Sequence, residues 1–249
     1  MKNMKRITLS LLLFFPHALP ESPSKDYSLL EAVTFNDVTK IRMLCKNRSL
    51  INQTNDYLAT PLHIAAISGS VEIISLLLEN NADLTPKGEY DLLPLHFASF
   101  KGHIAATELL IERGSDIAAK TTTGKTPLYL AVENNKRDMV DCLTRKLTTS
   151  QIDSADTENF TPLHIAALNG NVEIVKLLLA KGANVHAKGL YDMQQIHFAA
   201  TKGHKEVLKI LIQNGALPSN QTTLGKTALA LALDGNHYDL VHYLRGLGS

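Results

Sequence analysis

Asn159-Phe160-Thr161-Pro162-Leu163-His164-Ile165-Ala166-Ala167, followed by Gly170, by Val172-Glu173-Ile174-Val175-Lys176-Leu177-Leu178-Leu179 and by Gly182-Ala183, reads as two short helices in one hairpin. Thr161 suits the cap of the first helix, because its hydroxyl can accept a bond from an unpaired first-turn N–H. Pro162 suits the first helical position, where no donor is needed. Gly170 ends the helix, since glycine enters the left-handed conformation without a Cβ clash. A second apolar helix then runs to Gly182. One such hairpin cannot bury both of its flanks, so further copies are expected on either side.

The copies are present. Points equivalent to Thr161 are Tyr27, Thr60, Leu93, Thr126, Gln194 and Thr227, and the successive intervals along the chain are 33, 33, 33, 35, 33 and 33 residues. Nine residues after each point stand Asn36, Gly69, Gly102, Asn135, Gly170, Gly203 and Asn236, all of the two residue types that tolerate a left-handed helix end. Five residues after each point stands alanine, at Ala32, Ala65, Ala98, Ala131, Ala166, Ala199 and Ala232, small enough to let two helices approach. Second helices carry matched apolar residues, such as Ile74, Leu77 and Leu78, or Val175, Leu178 and Leu179.

A 33-residue helix-turn-helix period opened by Thr-Pro-Leu-His resembles the ankyrin repeat, and the resemblance covers nearly everything from Tyr27 to the C-terminus. It implies an all-α fold, an α-solenoid of seven units with short β-hairpin or loop fingers. The repeats fall near 26–57, 58–90, 91–123, 124–158, 159–191, 192–224 and 225–249, within one repeat domain over 23–249. A second period overlies the first. Residues 60–145 match 161–246 at an offset of 101, as Lys87-Gly88-Glu89-Tyr90-Asp91 against Lys188-Gly189-Leu190-Tyr191-Asp192 shows. The chain is therefore a duplicated triplet behind a single first repeat. Terminal repeats need a polar outer face, which Arg245 supplies in the last repeat. Thr144 holds that place in the fourth, which also carries two extra residues in Leu147-Thr148-Thr149-Ser150-Gln151-Ile152-Asp153. The fourth repeat thus reads as an internalised end cap, with its weakest joint at 144–158.

The first 22 residues differ from the rest. Lys2, Lys5 and Arg6 precede the apolar run Ile7–Phe15, and Pro16, Pro20 and Ser22 follow, a pattern expected of a secretory signal peptide. Export, to the periplasm or the exterior, is the expected localisation; a cytoplasmic protein with an uncut leader is the alternative. The net charge of +1 argues against nucleic-acid binding, which wants a dense basic face. No span of about 20 apolar residues exists for a membrane helix. Cys45 and Cys142 lie three repeats apart, or about 25–30 Å in a stack of helix layers. A disulfide needs Cα atoms within about 7 Å, so both are expected as buried thiols.

Motifs that could carry chemistry are weak. Gly124-Lys125-Thr126 and Gly225-Lys226-Thr227 resemble the end of a phosphate loop, but the glycine required five residues earlier is Ala119 or Asn220. Of ten histidines, His63, His96, His164 and His197 occupy the repeat motif and are expected to tie neighbouring turns together rather than to bind metal. No nucleophile, base and acid come together in the sequence. The expectation is therefore a non-catalytic protein, without cofactor or metal. Asn159 reads as a turn residue that tolerates positive φ.

The resemblance implies that a partner protein binds at the finger tips and the exposed side of the first helices. In this chain those positions hold Tyr57, Ile67, Glu89, Tyr90, Leu92, Phe100, Thr122, Thr123, Glu158, Phe160, Leu168, Leu190, Tyr191, Met193 and Leu224. Many are apolar where solvent is expected, and aromatic anchors are the usual hot spots of interfaces. Tyr90 and Tyr191 stand out. Phe97 and Phe198 are expected in the core. The expected function is a monomeric interaction scaffold, exported by a host-associated bacterium. A periplasmic accessory protein and a cytoplasmic regulator are the alternatives.

Overall fold

The computed structural model describes residues 28–247; the leader expected over residues 1–22 and the first index residue, Tyr27, lie outside them. The described residues form helices and turns only, in two compact units, one ending at Thr122 and one beginning at Thr123. The first unit holds three helix pairs: α1 (Leu29–Thr34) with α2 (Val38–Leu44), α3 (Pro61–Ser68) with α4 (Val71–Glu79), and α5 (Pro94–Lys101) with α6 (Ile104–Glu112). The second holds four: α7 (Pro127–Glu133) with α8 (Arg137–Thr144), α10 (Pro162–Asn169) with α11 (Val172–Ala180), α12 (Gln195–Lys202) with α13 (Lys205–Gln213), and α14 (Ala228–Asp234) with α15 (Tyr238–Gly246). A one-turn helix, α9 (Thr149–Ile152), lies in the stretch that carries the two extra residues. Within each unit first helices pack on first helices and second on second, so each unit is a segment of α-solenoid.

The residues that set the period also build the core. All seven alanines of the fifth position are fully buried between helices. The ninth-position residues all take positive φ, from 55° at Asn135 to 85° at Gly102. Three of the glycines meet a second demand. A Cβ on Gly69, Gly170 or Gly203 would collide with the ring of His103, His204 or His237, which lies flat on it from the next repeat.

Helix capping differs from expectation. The Thr161 hydroxyl does not accept a first-turn N–H; it meets Nδ1 of His164 at 3.0 Å, and the same nitrogen accepts the Thr161 N–H at 3.0 Å. His63 does the same for Thr60. His96 and His197 accept the N–H of Leu93 and Gln194, so the loss of threonine there leaves the cap in place. Only where the motif histidine is missing does threonine cap by itself: Thr126 accepts from Tyr129 N–H and Thr227 from Ala230 N–H.

The insertion is better tied than a bare seam. Thr148 and Gln151 form a capping box on α9, Ile152 is buried, and the Asp153 carboxylate accepts the Asn184 N–H at 3.0 Å. Thr144 is not on an outer face: it is buried, and its hydroxyl donates to the Asp141 carbonyl. Phe97 is in the core as expected, whereas Phe198 is half-buried. Neither cysteine is in a disulfide; Cys45 is buried and Cys142 half-buried, and burial raises the Cys45 thiol above its ordinary pKa.

Candidate protein-binding fingers

Between successive helix pairs the chain reaches out in a short finger. Of the two forms expected, β-hairpin or loop, the fingers among the described residues take the loop, and a backbone bond closes several of them at the base. Gly88 N–H donates to Leu92 O, Asp156 N–H to Phe160 O, and Gly189 N–H to Met193 O. In two fingers the tip is a 3-10 turn, at Glu89–Asp91 and Leu190–Asp192. Neighbouring fingers are joined by one bond each. In the first unit Glu89 N–H donates to Tyr57 O at 3.3 Å and Thr122 N–H to Tyr90 O at 3.0 Å. In the second, Thr157 N–H donates to Thr123 O, Leu190 N–H to Glu158 O and Thr223 N–H to Tyr191 O, at 3.0, 2.9 and 2.9 Å. The fingers thus form a linked row in each unit.

Two tips hold their backbone against its preference. Tyr90 and Asp91 have φ of 59° and 56°, and Tyr191 and Asp192 have 60° and 54°. For residues with a Cβ each left-handed position costs about 1–2 kcal/mol. At the position of Asp91 and Asp192 the other tips are also left-handed, with Leu58 and Asn159 in two of them and Gly124 and Gly225 in two more, so what sets these two tips apart is the second left-handed residue, the tyrosine. The two strained tips are braced by Lys87–Asp91 at 3.1 Å and Lys188–Asp192 at 3.6 Å.

The structure divides the expected contact residues. Tyr57, Leu190 and Tyr191 are 41, 43 and 59% exposed, and Leu224 is 76% exposed. Glu89, Tyr90, Leu168 and Met193 are half-buried, as are Thr123 and Glu158, while Thr122 is exposed. Four expectations fail: Ile67, Leu92, Phe100 and Phe160 are at most 7% exposed and unavailable to a partner. Ile67 and Phe100 lie on the first helices α3 and α5, and His103 also binds the Ile67 carbonyl. Leu92 sits at a finger base, where the side chain turns into the core. Phe160 is drawn inward over Gly189, where no side chain blocks it, and stacks edge-on against His164 and Phe198 at 5.6 and 5.2 Å.

Behind the fingers of each unit stand two imidazoles, as expected of the motif histidines. With Nδ1 accepting the cap N–H, Nε2 carries the proton and donates forward to a carbonyl. His63 reaches Leu92 O, His96 reaches Ala119 O, His164 reaches Met193 O and His197 reaches Asn220 O, at 2.9–3.1 Å. Burial holds His63 and His164 neutral, with pKa values lowered to about 4, and lowers His197 as well. A second row, absent from the sequence reading, runs the other way: His103, His204 and His237 donate back to the carbonyls of Ile67, Leu168 and Thr201 at 3.0–3.1 Å. The spacing of His103 and His204 by 101 residues was the available signal.

The sequence also concealed a buried polar cluster. Lys125 pairs with Glu133 at 2.7 Å, its ammonium lies 5.2 Å from the Tyr129 ring, and Tyr129 donates to Asp156 at 2.7 Å. Tyr129 stands at the motif-histidine position, which was the visible clue. Burial, then the neighbouring Asp156 charge, pushes its phenol far above the ordinary range. The two lysines of the Gly-Lys-Thr tripeptides are engaged by carboxylates, Lys125 by Glu133 and Lys226 by Asp234. Among the described residues no three His, Cys, Asp or Glu side chains group as metal ligands, and no helix is long and apolar enough to cross a membrane.

A family model for ankyrin repeats (3 copies) matches residues 7–88, 29–121, 95–189 and 191–248. The crystal structure of the human ASB11 ankyrin repeat domain aligns with a TM-score of 0.75 and 28% identity, over 83% of this chain and 92% of that one. The ankyrin repeat domain of Bcl-3 aligns with a TM-score of 0.74 over 88% of this chain and 100% of that one, at 24% identity, a likeness of fold alone. Among curated proteins, an ankyrin repeat protein of Rickettsia felis is 38% identical over 65 residues, which is 26% of this chain and 21% of that protein. Alpha-latroinsectotoxin-Lt1a of Latrodectus tredecimguttatus is 38% identical over 73 residues, 29% of this chain but 5% of the toxin. The chain matches only a small part of the length of these two curated relatives.

Proposed function

Because the chain belongs to the ankyrin repeat family, whose members are generally non-catalytic interaction modules, we propose that it grips one partner protein through its finger tips and is exported by a host-associated bacterium. The general role, a protein–protein interaction scaffold, follows from the fold. The observation that carries the finer reading is the pair of strained tyrosine tips. Strained backbone clusters at binding and catalytic sites, and here it lies at two tips of a hydrogen-bonded row, one of which presents Tyr191 to solvent.

Export rests on Lys2, Lys5, Arg6 and the apolar run Ile7–Phe15. The partner is sought by cross-linking the protein in host lysate and in periplasmic extract. The Tyr90→Ala/Tyr191→Ala variant should lose capture by at least about tenfold, since truncating one hot-spot residue costs about 2 kcal/mol or more, with unchanged helix content. Undiminished capture would place the interface elsewhere. N-terminal sequencing of the mature protein tests export: a start near residue 23 supports it, and an intact Met1 rejects it.

A further inference from the structure

We propose that Thr148, in the stretch of the fourth repeat that carries the two extra residues, is a phosphorylation site for a protein kinase that reads basic residues two and three positions before its target hydroxyl. The site is separate from the finger tips. Its use in a cell rests on the reading that the chain reaches a host, which supplies the kinase and its ATP.

The local sequence is the first support. Among the described residues two adjacent basic residues occur twice, as Lys136-Arg137 and as Arg145-Lys146. Asp138, Met139 and Val140 follow the first pair. Leu147, Thr148, Thr149 and Ser150 follow the second, so Arg145 and Lys146 stand three and two residues before Thr148. Thr149 has a basic residue at only one of those two positions, and Ser150 at neither. Thr8 has the same spacing behind Lys5 and Arg6 but lies outside the described residues. Kinases choose substrates largely by such charge patterns, because cationic side chains ahead of the hydroxyl answer acidic groups beside the catalytic groove.

The fold presents this stretch. In four other repeats a left-handed residue follows the second helix, namely Asn81, Gly114, Gly182 or Gly215. The fourth repeat instead passes from α8 to α9 through residues 145–148, which belong to no helix. Arg145, Lys146, Thr148, Thr149 and Ser150 are exposed, and Leu147 is half-buried. Thr148 has extended backbone, with φ of −73° and ψ of 161°. Drawing the segment straight on a kinase releases the Lys146 N–H bond to Leu143 O but no fully buried side chain. The Thr148 hydroxyl meets Gln151 Oε1 at 3.0 Å and Ser150 Oγ at 3.1 Å, both surface bonds that water or an active site can replace. Thr149, in contrast, is turned towards Gly182 of the next repeat. Arg145 pairs with Asp141, but its side chain is 67% exposed, and a surface pair is weak enough to exchange its carboxylate for one on a kinase.

The chemistry is ordinary phosphoryl transfer. The Thr148 oxygen attacks the γ-phosphorus of ATP, and the new O–P bond replaces the bond to the β–γ bridging oxygen. ADP leaves, and the hydroxyl proton passes to the carboxylate base of the kinase. The product adds a charge of about −2 beside Lys146.

The test incubates the purified full chain, uncut and folded, with ATP, magnesium and the catalytic subunit of cyclic-AMP-dependent protein kinase, a probe with this basic preference. Mass spectrometry of the digested chain should find phosphate on the peptide that holds Thr148. Thr148→Val should clear that peptide, and Lys146→Gln should slow its labelling by at least about tenfold. Both residues are exposed, and an unchanged circular dichroism spectrum checks that the variants keep the fold. No phosphate on that peptide, phosphate that persists there in Thr148→Val, an unchanged rate in Lys146→Gln, or labelling seen only after unfolding in urea would overturn the proposal. The assay needs neither export nor a captured partner, so an intact Met1 or undiminished capture by the tip variant rejects those readings and leaves this site standing.

Discussion

The Tyr129 phenol donates a 2.7 Å hydrogen bond to the Asp156 carboxylate, and with it the fourth repeat replaces the histidine that ties repeats together elsewhere. At the same motif position His63 and His164 reach a backbone carbonyl of the next finger base. Tyr129 instead reaches the side chain that shapes the next finger, because the same carboxylate also accepts the N–H groups of Glu158 and Phe160 at 2.9 Å. Removing the phenol oxygen takes one partner from a charged acceptor that is only half-buried and can turn partly to water. Tyr129→Phe should therefore cost about 1–2 kcal/mol, read as a lower urea midpoint at unchanged slope. A change under about 0.3 kcal/mol would mean that the bond ties nothing.

Lys125 and Glu133 form the one ion pair among those described whose two side chains are both largely shielded, and Glu133 Oε2 has no hydrogen-bond partner. Taking two charges from water is expensive, and a half-satisfied pair recovers little of that cost. Breaking it leaves a lone buried charge. Lys125→Met alone should destabilise by roughly 3–5 kcal/mol, whereas Lys125→Met with Glu133→Leu should fall within about 1 kcal/mol of the wild type or above it. Denaturant titrations of both variants decide; a double variant as unstable as the single one would show that the pair contributes net stability.

What could be read from the residues and what could not divides along covalent lines. The period, the alanines at the fifth position and the left-handed ninth position are local, so Ala166 and Gly170 announce themselves wherever the chain passes. Asn159, expected to tolerate positive φ, has φ of 61°. Whether a finger side chain points in or out is not local. Phe160 and Tyr191 look alike in sequence, yet Phe160 folds inward because residue 189 is glycine and leaves room for its ring. Tyr191 stands out at 59% exposure, whereas Tyr90, with the same left-handed backbone, is half-buried. The Tyr129–Asp156 bond spans 27 residues and has no periodic signature. The row of His103, His204 and His237 was hard to see because the same position holds Asp37, Ser70, Lys136 and Asn171 in the other repeats.

Leu58 holds φ of 58° at an exposed tip, where the equivalent residue of the second triplet is Asn159. At 53% exposure a branched apolar residue gains only part of its burial there and bears a left-handed cost of about 1–2 kcal/mol. Asparagine bears less of it. Leu58→Asn should raise stability by about 0.5–1 kcal/mol, seen as a higher thermal midpoint. A lower midpoint would show that Leu58 makes contacts worth more than its strain.

The imidazole row makes the stack sensitive to acid. His63 and His164 have pKa values near 4 in the folded chain, lowered first by burial, against an ordinary value of 6.5. A lowered folded value means that the unfolded chain binds more protons between the two, so stability rises with pH across that window. Their contribution is fully present above about pH 6.5 and is lost as pH falls towards 4, on the order of 3 kcal/mol for each. Charging either ring also adds a proton to Nδ1, which must then release the N–H of Thr60 or Thr161 that caps its helix. Urea midpoints measured from pH 7 to pH 4 should therefore fall steeply, and the His164→Gln variant should show a shallower fall, smaller by up to about one proton, since its amide cannot titrate. A midpoint that stays level down to pH 4, or a variant with the same slope as the wild type, would show that these rings are not the groups whose protonation unfolds the stack.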